Sequence, residues 1–173
     1  MAEIGTLEGY EHVEDIPADD FLRLENQISF PLYVVAKEIV NAYRLHLDPL
    51  NLTYTQYIVM MALWQYGGEL SVKELGKVLR LDSGTLTPLL KKLEAKNFLK
   101  RKRSRQDERV VMVILTDSGK KLRESAIHVP QRLAEASGHI FDVEEARQLR
   151  GLLNRLLDAI DKANEGTGNR LKG

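Results

Sequence analysis

Residues 100–115 read KRKRSRQDERVVMVIL, and this stretch decides the fold. Six of its first ten positions are Lys or Arg, and its last six positions are all apolar. The β-branched second half and the polar segment SRQDER predict two antiparallel strands joined by a turn. The charges then lie on the first strand and the tip of a hairpin, and the apolar residues return to the core.

Three short helices are predicted before this hairpin. Thr53 caps the helix TYTQYIVMMALWQYGG, and Ser71 forms a capping box with Glu74 at the start of SVKELGKVLRL. A fourth helix, counted from the start of the chain, begins around Asp82 and runs through DSGTLTPLLKKLEAKN, although Pro88 predicts an irregular first turn or a later start. Three helices in about forty residues are typical of a helix-turn-helix, and a hairpin directly after it is a wing.

Longer helices are predicted on both sides of this unit. The first regular helix begins near Ser29, because Pro31 is tolerated only in a first turn. After the wing, a helix starts at Thr116 and Asp117 and bends or breaks near Pro130. The last helix carries a broad apolar stripe made of Val143, Ala146, Leu149, Leu152, Leu153, Leu156, Leu157 and Ile160. A second copy of the chain is the expected cover for this stripe, and the alternative is a monomer whose terminal helices pack together.

Composition excludes several classes of protein. The 173 residues are 43% hydrophobic and 29% charged, which predicts a folded chain. The absence of Cys excludes disulfides and thiolate chemistry and fits the cytoplasm. We also predict no signal peptide and no membrane span. The zero net charge hides a segregation of charge: residues 1–25 carry eight acids against one Arg, and residues 91–109 are strongly basic. Such a basic patch attracts a polyanion.

Two elements are predicted to contact double-stranded DNA. The fourth helix starts with small polar residues that can approach base edges and phosphates, and it continues with lysines. In the wing, Arg109 is predicted to enter the minor groove, while Asp107 fixes its guanidinium or orders the turn. The remaining wing cations are expected along the phosphates: Lys100, Arg101, Lys102, Arg103 and Arg105. The alternative is a capped surface helix beside a solvated loop.

A family resemblance sharpens this interpretation. LDSGTLTPLLKKLE and RKRSRQDERVVMVILTDSGKKL resemble the recognition helix and wing of the MarR family of repressors, including D-x-R at Asp107 and Arg109 and LT-x-x-G from Leu115 to Gly119. The resemblance extends over about residues 24–160. It implies a mainly α fold with a small β-hairpin wing, in a homodimer with interlocked N- and C-terminal helices on an inverted-repeat operator. The recognition-helix positions of the family match Ser83, Thr85, Thr87 and Lys91.

The resemblance also implies a division of the chain. Residues 1–18 are expected to be an acidic, flexible segment. Residues 19–50 and 117–165 are the dimerisation helices, residues 51–116 are the winged helix-turn-helix, and residues 166–173 are a flexible tail.

Ser29 departs from the branch of the family that the chain resembles. LENQISFPLY and NLTYTQYIVMMALW are similar to the organic-hydroperoxide-sensing repressors, whose motif LENQ-x-C-F carries a peroxide-reactive cysteine where this chain has Ser29. The tyrosines that surround the sulfur in the family match Tyr43 and Tyr54, with Tyr33 one turn beyond Ser29. A serine hydroxyl does not ionise near neutral pH and forms no sulfenic acid.

Three interpretations of Ser29 follow. A deliberate replacement locks the sensor in its reduced, DNA-binding form; a natural relative has exchanged redox sensing for a small-molecule effector; or Ser29 is only a helix cap. We rank the locked sensor slightly first, because the tyrosines of the pocket are kept.

Other functional classes have less support in the sequence. There is no Gly-rich phosphate loop, no G-x-S-x-G and no H-E-x-x-H, so we predict no enzyme, no cofactor and no metal site. A metal-responsive regulator that uses His128 or His139 with Glu135 is one alternative. The other is a dimeric interaction module whose basic hairpin binds an acidic protein.

Overall fold

The computed structural model describes residues 17–136, 138 and 141–170, with the backbone alone at 18, 19, 25 and 166–170. Most of the predicted acidic segment 1–18 and His139 of the metal alternative therefore lie outside the described residues. The chain divides into two compact units, residues 1–130 and residues 131–173. Among the described residues, no helix is both long and apolar enough to span a membrane.

The first long helix begins where the proline predicts. Helix α1 spans Ser29–Leu47, and Pro31 therefore lies in the first turn of the helix. The missing N–H of proline costs no helical hydrogen bond there. Two short 3₁₀ helices, Ala18–Leu22 and Leu24–Asn26, precede it. A 3₁₀ turn at Asp48–Leu50 follows, and the chain leaves it through Asn51 in the left-handed region at φ 54°.

Capping boxes start the next two helices. Helix α2 spans Tyr54–Gln65, with the Thr53 hydroxyl accepting from the Gln56 N–H and the Gln56 side chain accepting from the Thr53 N–H. Helix α3 spans Val72–Leu79 and has the predicted box between Ser71 and Glu74. The hydrogen bonds of that box to Ser71 lower the pKa of Glu74.

Helix α4 spans Ser83–Ala95 and runs through Pro88 without a break. It begins directly after its cap, Asp82, so the later start considered for it does not occur. Pro88 only deprives the Gly84 carbonyl of its helical donor. One missing hydrogen bond does not break a helix whose opposite face buries Leu86, Leu90 and Leu93 in the core.

The predicted hairpin is present and belongs to a three-stranded sheet. Strands β2 (Leu99–Arg103) and β3 (Val111–Leu115) pair antiparallel, with Leu99 opposite Leu115. Strand β1 (Glu69–Ser71) pairs with the other edge of β3, in the order β1-β3-β2. We did not predict β1, because three residues between Gly67-Gly68 and a helix cap carry no alternation to detect.

The core joins these helices to the sheet. Leucines from α2, α3 and α4 pack with the inward side chains of β2 and β3, and this cluster anchors the wing at its base. Its largest fully buried members are Leu47, Met60, Leu63, Leu75, Leu86, Leu90, Leu93, Leu99, Val59, Val113 and Val129.

The chain after the wing breaks near Pro130, as predicted. Helix α5 spans Asp117–Ala126 and helix α6 spans Val129–Ala136, so Pro130 occupies the first turn of the new helix. Helix α7 spans Val143–Arg170 and so continues into the segment 166–173 predicted as a tail. Members of the apolar stripe on α7 are exposed in the single chain, with Leu152 at 58%.

Candidate DNA-binding surface and sensor residues

A groove of about 820 Å³ lies between α3, α4 and the wing. Its floor is apolar and is formed by Val72, Leu81, Leu86, Leu90, Val110 and Val111. Its polar lining comes from all three elements and consists of Lys73, Lys77, Ser83, Thr87, Arg101 and Arg109. The fold therefore brings the start of α4 and the wing residue Arg109, which are far apart in sequence, to the same surface.

The start of α4 is ordered by its own polar side chains. One Asp82 carboxylate oxygen accepts from the Thr85 N–H and the other from the Thr85 hydroxyl, both at 2.9 Å. These two bonds lower the pKa of Asp82. The Thr87 hydroxyl donates to the Ser83 carbonyl at 2.7 Å.

These bonds determine what the two threonines can offer a ligand. Both hydroxyl protons are already donated within the helix, whereas the hydroxyl oxygens keep lone pairs. Thr85 and Thr87 are therefore hydrogen-bond acceptors at this surface, suited to the amino groups of adenine and cytosine in the major groove. The lysine of this helix, Lys91, is exposed two turns further along.

The wing tip is held by short-range hydrogen bonds. The Asp107 carboxylate accepts from the Arg109 N–H at 2.9 Å, and the Asp107 carbonyl accepts from the Val110 N–H at 3.0 Å. Of the two functions predicted for Asp107, the structure shows the ordering of the turn. Arg103 donates to the Glu108 carbonyl at 2.7 Å and so supports the tip, while the side chains of Arg105 and Arg109 are exposed.

Arg101 differs from the other wing cations. Its Nε and Nη2 donate to one oxygen of Glu94 at 2.9 and 2.7 Å, and its backbone N–H donates to the other oxygen at 2.8 Å. The hydrogen bonds from Arg101 lower the pKa of Glu94. The Arg101 charge is thus neutralised within the chain, and the residue joins the wing to α4.

Two lysines on this surface were not predicted from the sequence. Lys73 and Lys77 are exposed and line the groove from α3. Their four-residue spacing places them on one face of a helix, and this spacing was the signal that could have found them.

The candidate sensor residues form two groups. The rings of Tyr43 and Tyr54 lie 4.9 Å apart, and the ring of Tyr57 lies 6.0 Å from that of Tyr43. Burial, followed by the proximity of Tyr54, raises the pKa of Tyr43. Tyr57 also contacts Trp64 edge to face and donates to the Ala126 carbonyl at 3.3 Å.

Ser29 and Tyr33 lie in the first turns of α1, far from this cluster. Tyr43 follows Ser29 by about four turns of the same helix, which separates the two residues by about 21 Å. Ser29 is exposed, and Tyr33 is 67% exposed. Within one chain, Ser29 and Tyr43 therefore cannot line the same small pocket.

The described residues contain no group of three or more His, Cys, Asp or Glu side chains placed to hold a metal ion.

Comparison with known proteins identifies the family. The chain is 41% identical over 148 residues to the organic hydroperoxide resistance transcriptional regulator of Bacillus subtilis (strain 168), an alignment that covers 84% of this chain and 97% of that protein. Its fold matches a mutant MarR from E. coli complexed with operator DNA, with a TM-score of 0.68 and 28% identity over 75% of this chain and 93% of that one. The chain belongs to the MarR family.

Two further matches agree with this assignment. Residues 41–125 of this MarR-family regulator match the family described as Transcriptional regulator SarA/Rot, a range that contains the helix-turn-helix and the wing. The structure is also similar to AbfR of Staphylococcus epidermidis, solved in its reduced form bound to DNA, with a TM-score of 0.69 and 28% identity over 83% of this chain and 96% of that one. The resemblance and the mainly α, winged-helix fold predicted from the sequence are confirmed.

Proposed function

We propose that this MarR-family regulator is a repressor that binds an inverted-repeat operator in double-stranded DNA as a two-fold homodimer. The observation that carries the proposal is the groove that brings Ser83 and Thr87 of α4 beside Arg109 of the wing. A helix that enters the major groove and a wing that follows the backbone to the minor groove must be neighbours in this way.

Sequence is read by the first turns of α4 in this proposal. Thr85 and Thr87 accept hydrogen bonds from base amino groups in the major groove. Ser83 and Lys91 contact the DNA backbone on either side of these bases. The acceptor character of the threonines predicts half-sites with adenine or cytosine at the contacted positions.

The wing supplies the second contact. Arg109 and Arg105 are exposed at the tip, which Asp107 orders, and they are placed to enter a narrow minor groove. Arg103, together with Lys100 and Lys102, contributes phosphate contacts. Arg101 acts through its ion pair with Glu94, by holding the wing against α4.

Dimerisation is assigned to residues 19–50 and 117–165, and DNA binding to residues 51–116. The apolar side chains exposed on α1 and on α7 support this division, because exposed apolar patches of this kind mark interfaces between proteins. As a regulator that binds operator DNA, the dimer acts in the cytoplasm, where that DNA lies.

The sensor site is assembled between two copies in this proposal. Because α1 separates Ser29 from Tyr43 by about 21 Å, Ser29 and Tyr33 of one copy meet Tyr43 and Tyr54 of the other. A serine at this position keeps the dimer in the DNA-binding state when peroxide is present. The second candidate signal is a small acidic or aromatic ligand in the same pocket.

The experiment that tests this function selects duplexes from a random-sequence library with the full-length protein. Enrichment of a palindrome with half-sites about one helical turn apart supports the proposal. An interaction module with no role in DNA recognition would enrich no sequence, and it would bind heparin as well as it binds DNA. That result would reject the repressor in favour of a polyanion or acidic-protein binder.

A further inference from the structure

We propose that residues 3–16 of this chain dock into the groove between α3, α4 and the wing, where they compete with DNA. The competition rests on the function proposed above, while the docking itself rests on the groove and on the composition of this segment.

The groove has two properties that call for a ligand other than bare phosphate. Its rim is cationic, with Lys73 and Lys77 on one side and Arg109 on the other. Its floor consists of Val and Leu side chains, which phosphate oxygens do not cover favourably. An apolar floor inside a cationic rim fits an acidic peptide that carries regularly spaced apolar side chains.

Residues 1–16, MAEIGTLEGYEHVEDI, have this composition. They contain five carboxylates and no Lys or Arg, and the acids are Glu3, Glu8, Glu11, Glu14 and Asp15. Because the whole chain has 25 acids and 25 Lys and Arg, the remaining residues carry a surplus of five cations. Apolar residues recur at every third position between the acids, at Ile4, Leu7, Tyr10, Val13 and Ile16.

The covalent connection allows this docking. The segment joins the described chain at Pro17, and sixteen extended residues reach up to about 50 Å. A compact unit of about 130 residues has a radius of gyration of only about 14 Å, so the groove is within reach. Tethering also gives an effective concentration in the millimolar range, at which even weak docking is populated.

The consequence is a lower occupancy of random DNA. A docked segment lowers the apparent affinity for DNA, which equals the intrinsic affinity multiplied by the fraction of protein whose groove is unoccupied. Random DNA, held mainly by phosphate contacts, competes poorly with the segment, whereas an operator adds base contacts and displaces it.

The first test uses two full-length variants with a fluorescein-labelled 30-bp duplex of mixed sequence in anisotropy titrations. One variant removes the five charges (E3Q/E8Q/E11Q/E14Q/D15N), and the other removes four of the five spaced apolar side chains but keeps every acid (I4S/L7S/Y10S/V13S). We expect both to bind the duplex roughly threefold to tenfold more tightly than the parent. If only the charge variant gains affinity, long-range repulsion explains the effect and docking is overturned.

The second test maps the segment without DNA. A water-soluble carbodiimide should link carboxylates of residues 3–15 to Lys73 or Lys77, and mass spectrometry should find few links to Lys120, an exposed lysine on α5 that is not part of the groove. The serine variant keeps the carboxylates and should lose the Lys73 and Lys77 links. Links spread evenly over these lysines would overturn the proposal.

The two tests separate this inference from the proposed function. If the parent gives the Lys73 and Lys77 links but the serine variant, which lacks them, also binds no duplex, the DNA-binding function is refuted and docking is left in place. A chain that selects an operator but gives no such links refutes the docking alone.

Discussion

Arg101 on β2 and Glu94 on α4 are joined at three points, by the Arg101 Nε, Nη2 and backbone N–H, at 2.9, 2.7 and 2.8 Å. The two side chains are about one-third exposed or less, so the contact is partly shielded from water. Since α4 and the wing are the two proposed DNA-contacting elements, this pair sets their relative orientation.

Replacing Glu94 with Gln should therefore reduce selectivity more than stability. We expect the free energy of unfolding to fall by about 1 kcal/mol, because the pair is only partly buried. The released Arg101 adds an unpaired cation that any DNA attracts, while the wing loses its fixed angle. The ratio of operator affinity to random-duplex affinity should fall at least about threefold in anisotropy titrations. An unchanged ratio would show that the pair of Arg101 and Glu94 does not orient the wing relative to α4.

The same pair predicts a pH dependence of stability. Arg101 holds the pKa of Glu94 below its ordinary value, so the carboxylate is favoured in the folded state. Its contribution is fully present above the unfolded pKa of about 4.3 and is lost as the pH falls through the folded value. Urea unfolding at pH 7 should give a higher free energy of unfolding for the parent than for Glu94→Gln. This difference in free energy should shrink towards pH 3. A free-energy difference that stays constant between pH 7 and pH 3 would show that ionised Glu94 does not stabilise the fold through Arg101.

Arg109→Ala should weaken operator binding by about tenfold or more if the wing tip enters the minor groove. The matched control is Arg155→Ala, which removes the same charge from α7. Equal losses in the two variants would mean that only net charge matters, and an unchanged affinity for Arg109→Ala would remove the wing from the interface.

Thr87→Val and Lys91→Ala should affect binding in different ways. Valine keeps the shape of threonine and removes the hydroxyl acceptor, so the preferred base at one operator position should change while the salt dependence stays the same. Loss of the Lys91 charge should make the salt dependence of the DNA affinity shallower by the equivalent of about one phosphate contact. It should weaken binding to all sequences alike. Duplex selection and anisotropy at several salt concentrations distinguish these outcomes. A Thr87 variant with the parental base preference would exclude Thr87 from base readout.

Ser29→Cys should convert the protein into one that releases its operator when an organic hydroperoxide is added. The parent should remain bound, because its hydroxyl cannot form a sulfenic acid. Adding Tyr54→Phe to the cysteine variant should slow the response, and dimedone labelling followed by mass spectrometry reports the oxidised sulfur directly. If neither protein responds, the peroxide assignment fails, and the pocket should be screened with small acidic or aromatic ligands.

The sequence by itself determined the local structure of this protein. The capping boxes at Thr53 and Ser71, the break near Pro130 and the hairpin of residues 99–115 depend on contacts between residues close in sequence, so spacing and residue type suffice. The family resemblance identified the recognition helix and the wing for the same reason, since each is a continuous motif.

Only the tertiary structure decided how these pieces meet. It pairs β1 with β3, neutralises Arg101 with Glu94, and brings Lys73 and Lys77 to the rim of the groove. Each of these depends on the packing of elements distant in the chain, because burial of the shared leucine core sets which side chains face one another. Sequence spacing carries no record of those distances.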